Sequence, residues 1–314
     1  MSRIFEALQR SESERASFSF PEPPSLATEL LQDKEKEGVQ LGEFPAVRAI
    51  VAPDSRMVSV TDKDSLGGEK FRFLGVKLRQ MQQERQLKKL LITSTLPGEG
   101  KSLVSANLVA TLARRKQQKV LLLEGDLRRP VQAQLFGGGR PAGLSEWLQS
   151  GQRTVNNIYF LEGPGFWLMP AGTPPENPLE LMQSGKLAEL LEQLSSWFDW
   201  VVIDSPPLLP LADTSVWARL ADGVLLVVRE GRTEKQHLQR GLALVEQTNL
   251  LGVVVNSCSN SDHRNYYSRY RQSPEEVLRA KAAGAGQSAG NQSATTLEPE
   301  SGAVETVKAG VKPE

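Results

Sequence analysis

Short apolar runs alternate with longer amphipathic stretches between residues 67 and about 260. The runs are Leu90-Leu91-Ile92-Thr93, Val120-Leu121-Leu122-Leu123, Val201-Val202-Ile203, Val224-Leu225-Leu226-Val227-Val228 and Val253-Val254-Val255, each bounded by charge, Gly or Pro. Runs this short with no polar alternation predict strands covered on both faces, hence a buried parallel sheet. The segments 102–116, 178–197 and 233–248 are of helix length. Strand and helix in alternation predict a doubly wound α/β domain with a mostly parallel sheet. No repeat of fixed period interrupts the pattern.

The ends of the chain read differently. Residues 1–66 are polar and carry Pro21, Pro23, Pro24, Pro45 and Pro53. They predict a disordered arm with one short helix, in which Ile4, Phe5 and Leu8 share a face and could dock a partner. Residues 280–314 are rich in Ala, Gly, Ser and Glu and predict a disordered tail. The expected organisation is an arm (1–66), a catalytic domain (67–262), a tyrosine-bearing segment (263–279) and the tail.

Composition narrows the chemistry. Lys plus Arg and Asp plus Glu are both 37 in 314 residues. A nucleic-acid binder would carry a basic excess, so none is expected as partner. One cysteine, Cys258, and two histidines, His237 and His263, exclude an internal disulfide framework and argue against a Cys- or His-rich metal centre. No apolar run approaches the ~20 residues that cross a bilayer, and the start lacks a secretory signal. A soluble, cytoplasmic, enzymatic chain is expected.

The strongest local signal is Thr95-Leu96-Pro97-Gly98-Glu99-Gly100-Lys101-Ser102, followed by Leu103. It leaves a predicted strand and opens a predicted helix, the context a phosphate-binding loop requires. Gly98 and Gly100 allow the backbone to turn its N–H groups inward, and the helix N-terminus adds its dipole. Lys101 supplies a charge for the β- and γ-phosphates of ATP, and Ser102 a hydroxyl for Mg²⁺. Thr95 stands where the usual pattern has its first glycine. About a hundred residues on, Asp204 ends a predicted strand, placed to hold Mg²⁺ through water. The segment Glu124-Gly125-Asp126-Leu127-Arg128-Arg129-Pro130 puts two carboxylates and two arginines at another strand end, the edge that faces nucleotide in such sheets. Glu124 or Asp126 could accept a proton or help hold the metal, and Arg128 could steady phosphate charge.

These residues resemble a known family: the bacterial tyrosine kinases of capsule and exopolysaccharide systems, of the CpsD/CapB type, related to the MinD and ParA P-loop ATPases. Pro97 to Ser102 resembles the family's phosphate loop, and Glu124 to Pro130 its second Walker motif, normally Asp-x-Asp-x-Arg. The run 170–178 resembles its Pro-Asn-Pro loop, Asp204-Ser205-Pro206-Pro207 with Asp213 its Walker B region, and Gly252 to Asn256 its last strand. The resemblance covers about 69–270. It implies a MinD/ParA-like fold, ATP and Mg²⁺ as cofactors, and a homo-oligomeric ring. It also implies a separate membrane partner of the chain-length-determinant (polysaccharide co-polymerase) class, which would recruit the chain to the inner face of the membrane, and a protein-tyrosine phosphatase. Asn256 is expected near the adenine. Glu124 replaces an Asp and reaches one methylene further, a displacement of about an ångström that can cost ~100-fold in rate. In the family's Glu-x-x-Arg-x-x-Arg oligomerisation motif, Glu69 and Arg72 are kept and Gly75 replaces the second Arg.

Three of the four tyrosines, Tyr266, Tyr267 and Tyr270, fall within five residues just beyond the last predicted strand. Their neighbours Asn265, Ser268, Arg269 and Arg271 are polar, which favours a solvated substrate cluster over a core. The bland reading is a tail that packs through its rings or binds RNA. The family resemblance implies autophosphorylation of these residues in trans. Each phosphate adds roughly −1.5 to −2, enough to reverse the charge of this arginine-bearing segment. The expected function is an ATP-dependent tyrosine autokinase regulating polysaccharide chain length and export. Two alternatives are a MinD/ParA-like ATPase switch without protein kinase activity and a nucleotide-binding scaffold. The tyrosine cluster and the lack of a second loop lysine near Thr95 count against the switch; intact Lys101, Ser102 and Asp204 count against the scaffold.

Overall fold

The computed structural model describes residues 44–257 apart from 116–117, 152–153 and 246–248, all within one unit, Met1–Asn260. The predicted short helix at Ile4–Leu8, the tyrosine segment and the C-terminal tail lie outside the described residues.

Eight strands form one sheet in the order β1-β4-β5-β3-β6-β2-β7-β8. The predicted runs become β2 (Lys89–Ser94), β3 (Val120–Glu124), β6 (Trp200–Asp204), β7 (Gly223–Arg229) and β8 (Leu250–Asn256). They pair in parallel, with β2 between β6 and β7. Both faces of the central strands are covered, so every residue of β3 and β6 is buried. That explains their unbroken apolar sequence. Three strands escaped the pattern: β1 (Ala46–Arg48), β4 (Tyr159–Glu162) and β5 (Phe166–Met169). β4 and β5 form an antiparallel hairpin, while β1 pairs with β4 and β5 with β3 in parallel.

One face of the sheet is covered by α1 (Val58–Thr61), α2 (Leu66–Glu84) and α3 (Lys101–Ala113). Every residue of α3 from Val104 to Leu112 is buried, because the sheet lies on one side and α1 and α2 on the other. A helix enclosed in this way is apolar nearly all round. This layer corrects the expected domain start at 67, since residues from Phe44 onward are part of the packed body. Met57 is fully buried, worth about 1.5–3 kcal/mol. The Ser59 N–H donates to Asn107 Oδ1 at 2.8 Å, and the Ser59 and Thr111 hydroxyls meet at 2.9 Å. The prolines and charges around this segment hid a short, tightly held one.

The other face carries α5 (Leu144–Ser150), α6 (Pro178–Met182), α7 (Lys186–Trp197), α8 (Asp213–Leu220) and α9 (Lys235–Val245). The helix predicted over 178–197 is two helices. Gly185 adopts φ +79°, and α7 starts immediately after it. Leu187, Leu190, Leu191 and Leu194 give α7 one buried stripe. Asn177 caps α6, with Pro178 in the first turn where its missing N–H costs nothing. A four-residue helix, α4 (Gln132–Leu135), follows the arginines after β3.

Candidate active site

The phosphate loop leaves β2 at Ser94 and enters α3 at Lys101. Gly98 and Gly100 hold φ of +82° and +94°, which side-chain-bearing residues rarely adopt. A Cβ on Gly100 would also collide with the Asn256 amide. Glu99 ties the loop down from within and is buried. Its carboxylate accepts the Thr95 hydroxyl at 2.8 and 2.9 Å, the Leu96 N–H at 2.9 Å and the Thr233 hydroxyl. Thr95 thus has a use where the common pattern has glycine. Asn256 donates to the Glu99 carbonyl at 2.9 Å and accepts the Ser257 N–H at 2.8 Å. The Nδ2 end of its amide is thus engaged at the loop and the Oδ1 end at the next residue of its own segment.

Beside the loop, Lys101 Nζ lies 3.0 Å from Asp126 Oδ2 and 3.3 Å from Ser102 Oγ. Burial opposes the lysine's charge, but Asp204, Asp126 and Glu124 outweigh it and hold its pKa above the ordinary lysine value. Asp204 is completely buried at the end of β6. Burial pushes its carboxyl above the usual range, against the pull of Lys101, Gln132 and Ser102. The Gln132 side chain donates to Asp204 Oδ2 at 2.7 Å and to the Ser102 carbonyl at 3.0 Å. Its Oε1 is buried without a partner. Sequence reasoning missed Gln132, because nothing in a lone Gln after Arg-Arg-Pro-Val marks it.

An open cleft of about 390 Å³ is lined among others by Gly98, Lys101, Ser102, Asp126, Arg128 and Pro207; Asp204 and Gln132 are fully buried and touch Ser102 or its neighbours rather than line the cleft. Among the described residues no cluster of three or more His, Cys, Asp or Glu could cage a metal. The site instead offers a hydroxyl, a carboxylate and an orphaned amide oxygen, all hard oxygens. Such a set suits Mg²⁺, which takes one or two carboxylates and completes its shell with water and substrate phosphates.

Glu124 is placed differently from Asp126. It pairs in register with Asp204 across neighbouring strands, yet does not line the cleft. Its Oε1 accepts the Val131 N–H and, at 2.6 Å, the Gln132 N–H; its Oε2 accepts the Ala171 N–H at 3.0 Å. Burial pushes its carboxyl up to about 7, with those amide donors opposing the rise. The extra methylene relative to Asp lets the carboxylate span β3, the start of α4 and the segment after β5.

Arg128 borders the cleft but forms a two-point pair with Asp213, Nε to Oδ2 at 2.7 Å and Nη2 to Oδ1 at 3.2 Å. On α2, Arg72 pairs with Glu69 and Asp64, each at 3.1 Å. Gly75 is buried against Thr111, facing α3 rather than solvent. Phe73 on the same helix is 65% exposed. Tyr266, Tyr267 and Tyr270 lie outside the described residues.

A central strand leading through a glycine-hinged loop into a buried helix, with Lys101, Ser102 and Asp126 lining a cleft and Asp204 buried at a neighbouring strand end, defines a P-loop nucleotide-binding domain. No family model matches the chain. It is 31% identical over 212 residues to tyrosine-protein kinase YwqD of Bacillus subtilis, a match covering 67% of this chain and 89% of the relative. The crystal structure of the chimerical protein CapA2B2 superposes with a TM-score of 0.62 at 30% identity, covering 70% of this chain and 97% of that one. The kinase domain of Escherichia coli tyrosine kinase ETK gives 0.60 at 27% identity, covering 78% and 92%. The chain belongs to the bacterial tyrosine-protein kinases. Its activity is therefore protein-tyrosine phosphorylation. Among the described residues no helix is long and apolar enough to cross a membrane.

Proposed function

We propose that the chain uses Mg²⁺·ATP to phosphorylate its own Tyr266, Tyr267 and Tyr270 in trans, and so regulates the length and export of a capsule or exopolysaccharide. The loop amides of 95–103 and Lys101 hold the phosphates, and Ser102 and Asp204 hold Mg²⁺. When bound, the cation neutralises charge on the β- and γ-phosphates. The observation that carries this reading is the 3.0 Å pair between Lys101 and Asp126 beside Ser102. An arriving phosphate competes for the ammonium, which frees the Asp126 carboxylate. The tyrosine oxygen then attacks the γ-phosphorus, the bond to the bridging oxygen of ADP breaks, and the phenolic proton passes to Asp126. Asp126, rather than Glu124, is the proton acceptor, because Asp126 borders the cleft and Glu124 is committed to main-chain amides. Arg128, released from Asp213, steadies the transferring group.

Membrane attachment comes from a separate chain-length-determinant protein, with a phosphatase to reset the tail and self-assembly through α2 to bring tail to site. A fusion named CapA2B2 among its structural relatives favours such a two-protein arrangement. Incubation with Mg²⁺·ATP, followed by intact mass and peptide mapping beside Lys101→Ala, tests the reading. Additions of ~80 Da on the three tyrosines, absent from the variant, support it. ATP consumption with an unmodified tail, even with the partner's cytoplasmic segment added, contradicts it.

A further inference from the structure

Gln132 is fully buried between the phosphate loop, β6 and Glu124. Its main-chain N–H is fixed by the Glu124 carboxylate at 2.6 Å. Its Nε2 meets two acceptors, Asp204 Oδ2 at 2.7 Å and the Ser102 carbonyl at 3.0 Å. That pair settles the orientation of the amide, because a flipped group would set its oxygen against a carboxylate and a carbonyl. Oε1 is left with no donor. Buried polar atoms nearly always find a partner, and this orphan is set apart from the others among the described residues by its place on the side chain that grips Asp204 and Ser102. The two groups Gln132 grips belong to the residues that would hold the cation.

We propose that Gln132 is a positioning residue of the magnesium site: Nε2 orients Asp204 and anchors the residue carrying the Ser102 hydroxyl, and Oε1 is an acceptor for the cation's hydration water. A water bound to a cation offers its hydrogens outward, which is what an orphaned carbonyl oxygen lacks. Groups that orient metal ligands typically change metal affinity 10–100-fold when removed. Glu124 extends the arrangement by one step, since it fixes the backbone of Gln132 and does not touch the ligands. This inference rests on the assignment of Ser102 and Asp204 to Mg²⁺.

The test uses the full chain with a non-hydrolysable ATP analogue and Mn²⁺ as a paramagnetic probe. Gln132→Met keeps the length of the side chain and removes both polar atoms. The expected result is a roughly 10–100-fold loss of Mn²⁺ affinity in electron paramagnetic resonance titrations. Affinity for the nucleotide analogue in EDTA should stay within about twofold, which a purely structural role would not predict. Mn²⁺ affinity unchanged in Gln132→Met would overturn the role of Gln132 alone. A wild-type chain that binds Mn²⁺ no better with nucleotide than without would overturn the magnesium assignment itself. Should the variant fail to fold, the side-chain amide resonances of Gln132 in the wild-type protein decide. They should shift when Mg²⁺ joins the nucleotide-loaded chain, and resonances indifferent to Mg²⁺ would overturn the proposal.

Discussion

Glu124 and Asp204 stand opposite each other on neighbouring strands, both buried and both with pKa values raised by that burial. Their surroundings separate them. Glu124 accepts three main-chain N–H groups from two segments. Asp204 is met by the side chains of Gln132 and Ser105, with Lys101 nearby. Main-chain donors belong to the fold and do not leave; side-chain groups around a cleft can be exchanged for a ligand. On the proposed reading, two carboxylates at equivalent strand ends are thus split, Glu124 holding the scaffold and Asp204 serving the cation. Glu99, with its loop N–H and two hydroxyls, belongs with Glu124.

The largest break in this comparison should come at Asp204. Asp204→Asn is expected to lower tyrosine phosphorylation by about 10²–10³-fold, the usual effect of losing one preorganised electrostatic group. Its denaturation midpoint should stay level or rise, because a buried charge is removed. Glu124→Ala should do the opposite in stability. It leaves buried amides unpaired, at roughly 2–4 kcal/mol in urea or guanidinium unfolding. A pH series sharpens the contrast. With Glu124 at about 7 when folded against 4.5 ordinarily, the folded state keeps a proton between those values that the unfolded chain has released. Stability should therefore fall as pH rises from about 4.5 to 7, by up to about 3 kcal/mol from this group, and level off above. Glu124→Gln should remove that part of the slope; the remainder, from Asp204, should disappear in the double variant with Asp204→Asn. The smallest effect is expected at the loop. Thr95→Gly restores the common pattern but removes a bond to Glu99 and adds backbone freedom, for a loss of about 1–2 kcal/mol.

Much of this was legible in the chain itself. β8 has an apolar run although it is an edge strand with half-buried and exposed positions, whereas the central strands β2, β3, β6 and β7 announced themselves because burial on both faces writes an unbroken apolar run. The loop 95–102 did so because its glycines must hold positive φ beside a lysine and a serine. The strands β1, β4 and β5 gave no such signal. They have three or four residues each, and charged or half-buried positions interrupt them. The layer formed by residues 56–59 was hidden for another reason: it is held by hydrogen bonds to Asn107 and Thr111, partners 48 and 52 residues away in the chain. Glu124 was visible as a departure from the family's Asp, but only its three amide partners show what the longer side chain reaches. Gln132 was invisible, since a solitary glutamine has no sequence context that separates it from a surface residue.

The division between a carboxylate that holds the scaffold and carboxylates that serve the reaction is tested most directly by single-turnover phosphorylation of the tyrosine tail, measured alongside thermal unfolding, in Asp126→Asn, at the cleft, and Glu124→Asp, at the scaffold. Asp126→Asn should lose about 10²-fold or more in rate while melting like the wild type. Glu124→Asp should melt lower and, below its transition, keep its rate within about tenfold. A Glu124→Asp chain of wild-type stability that no longer phosphorylates, beside an active Asp126→Asn, would contradict the account.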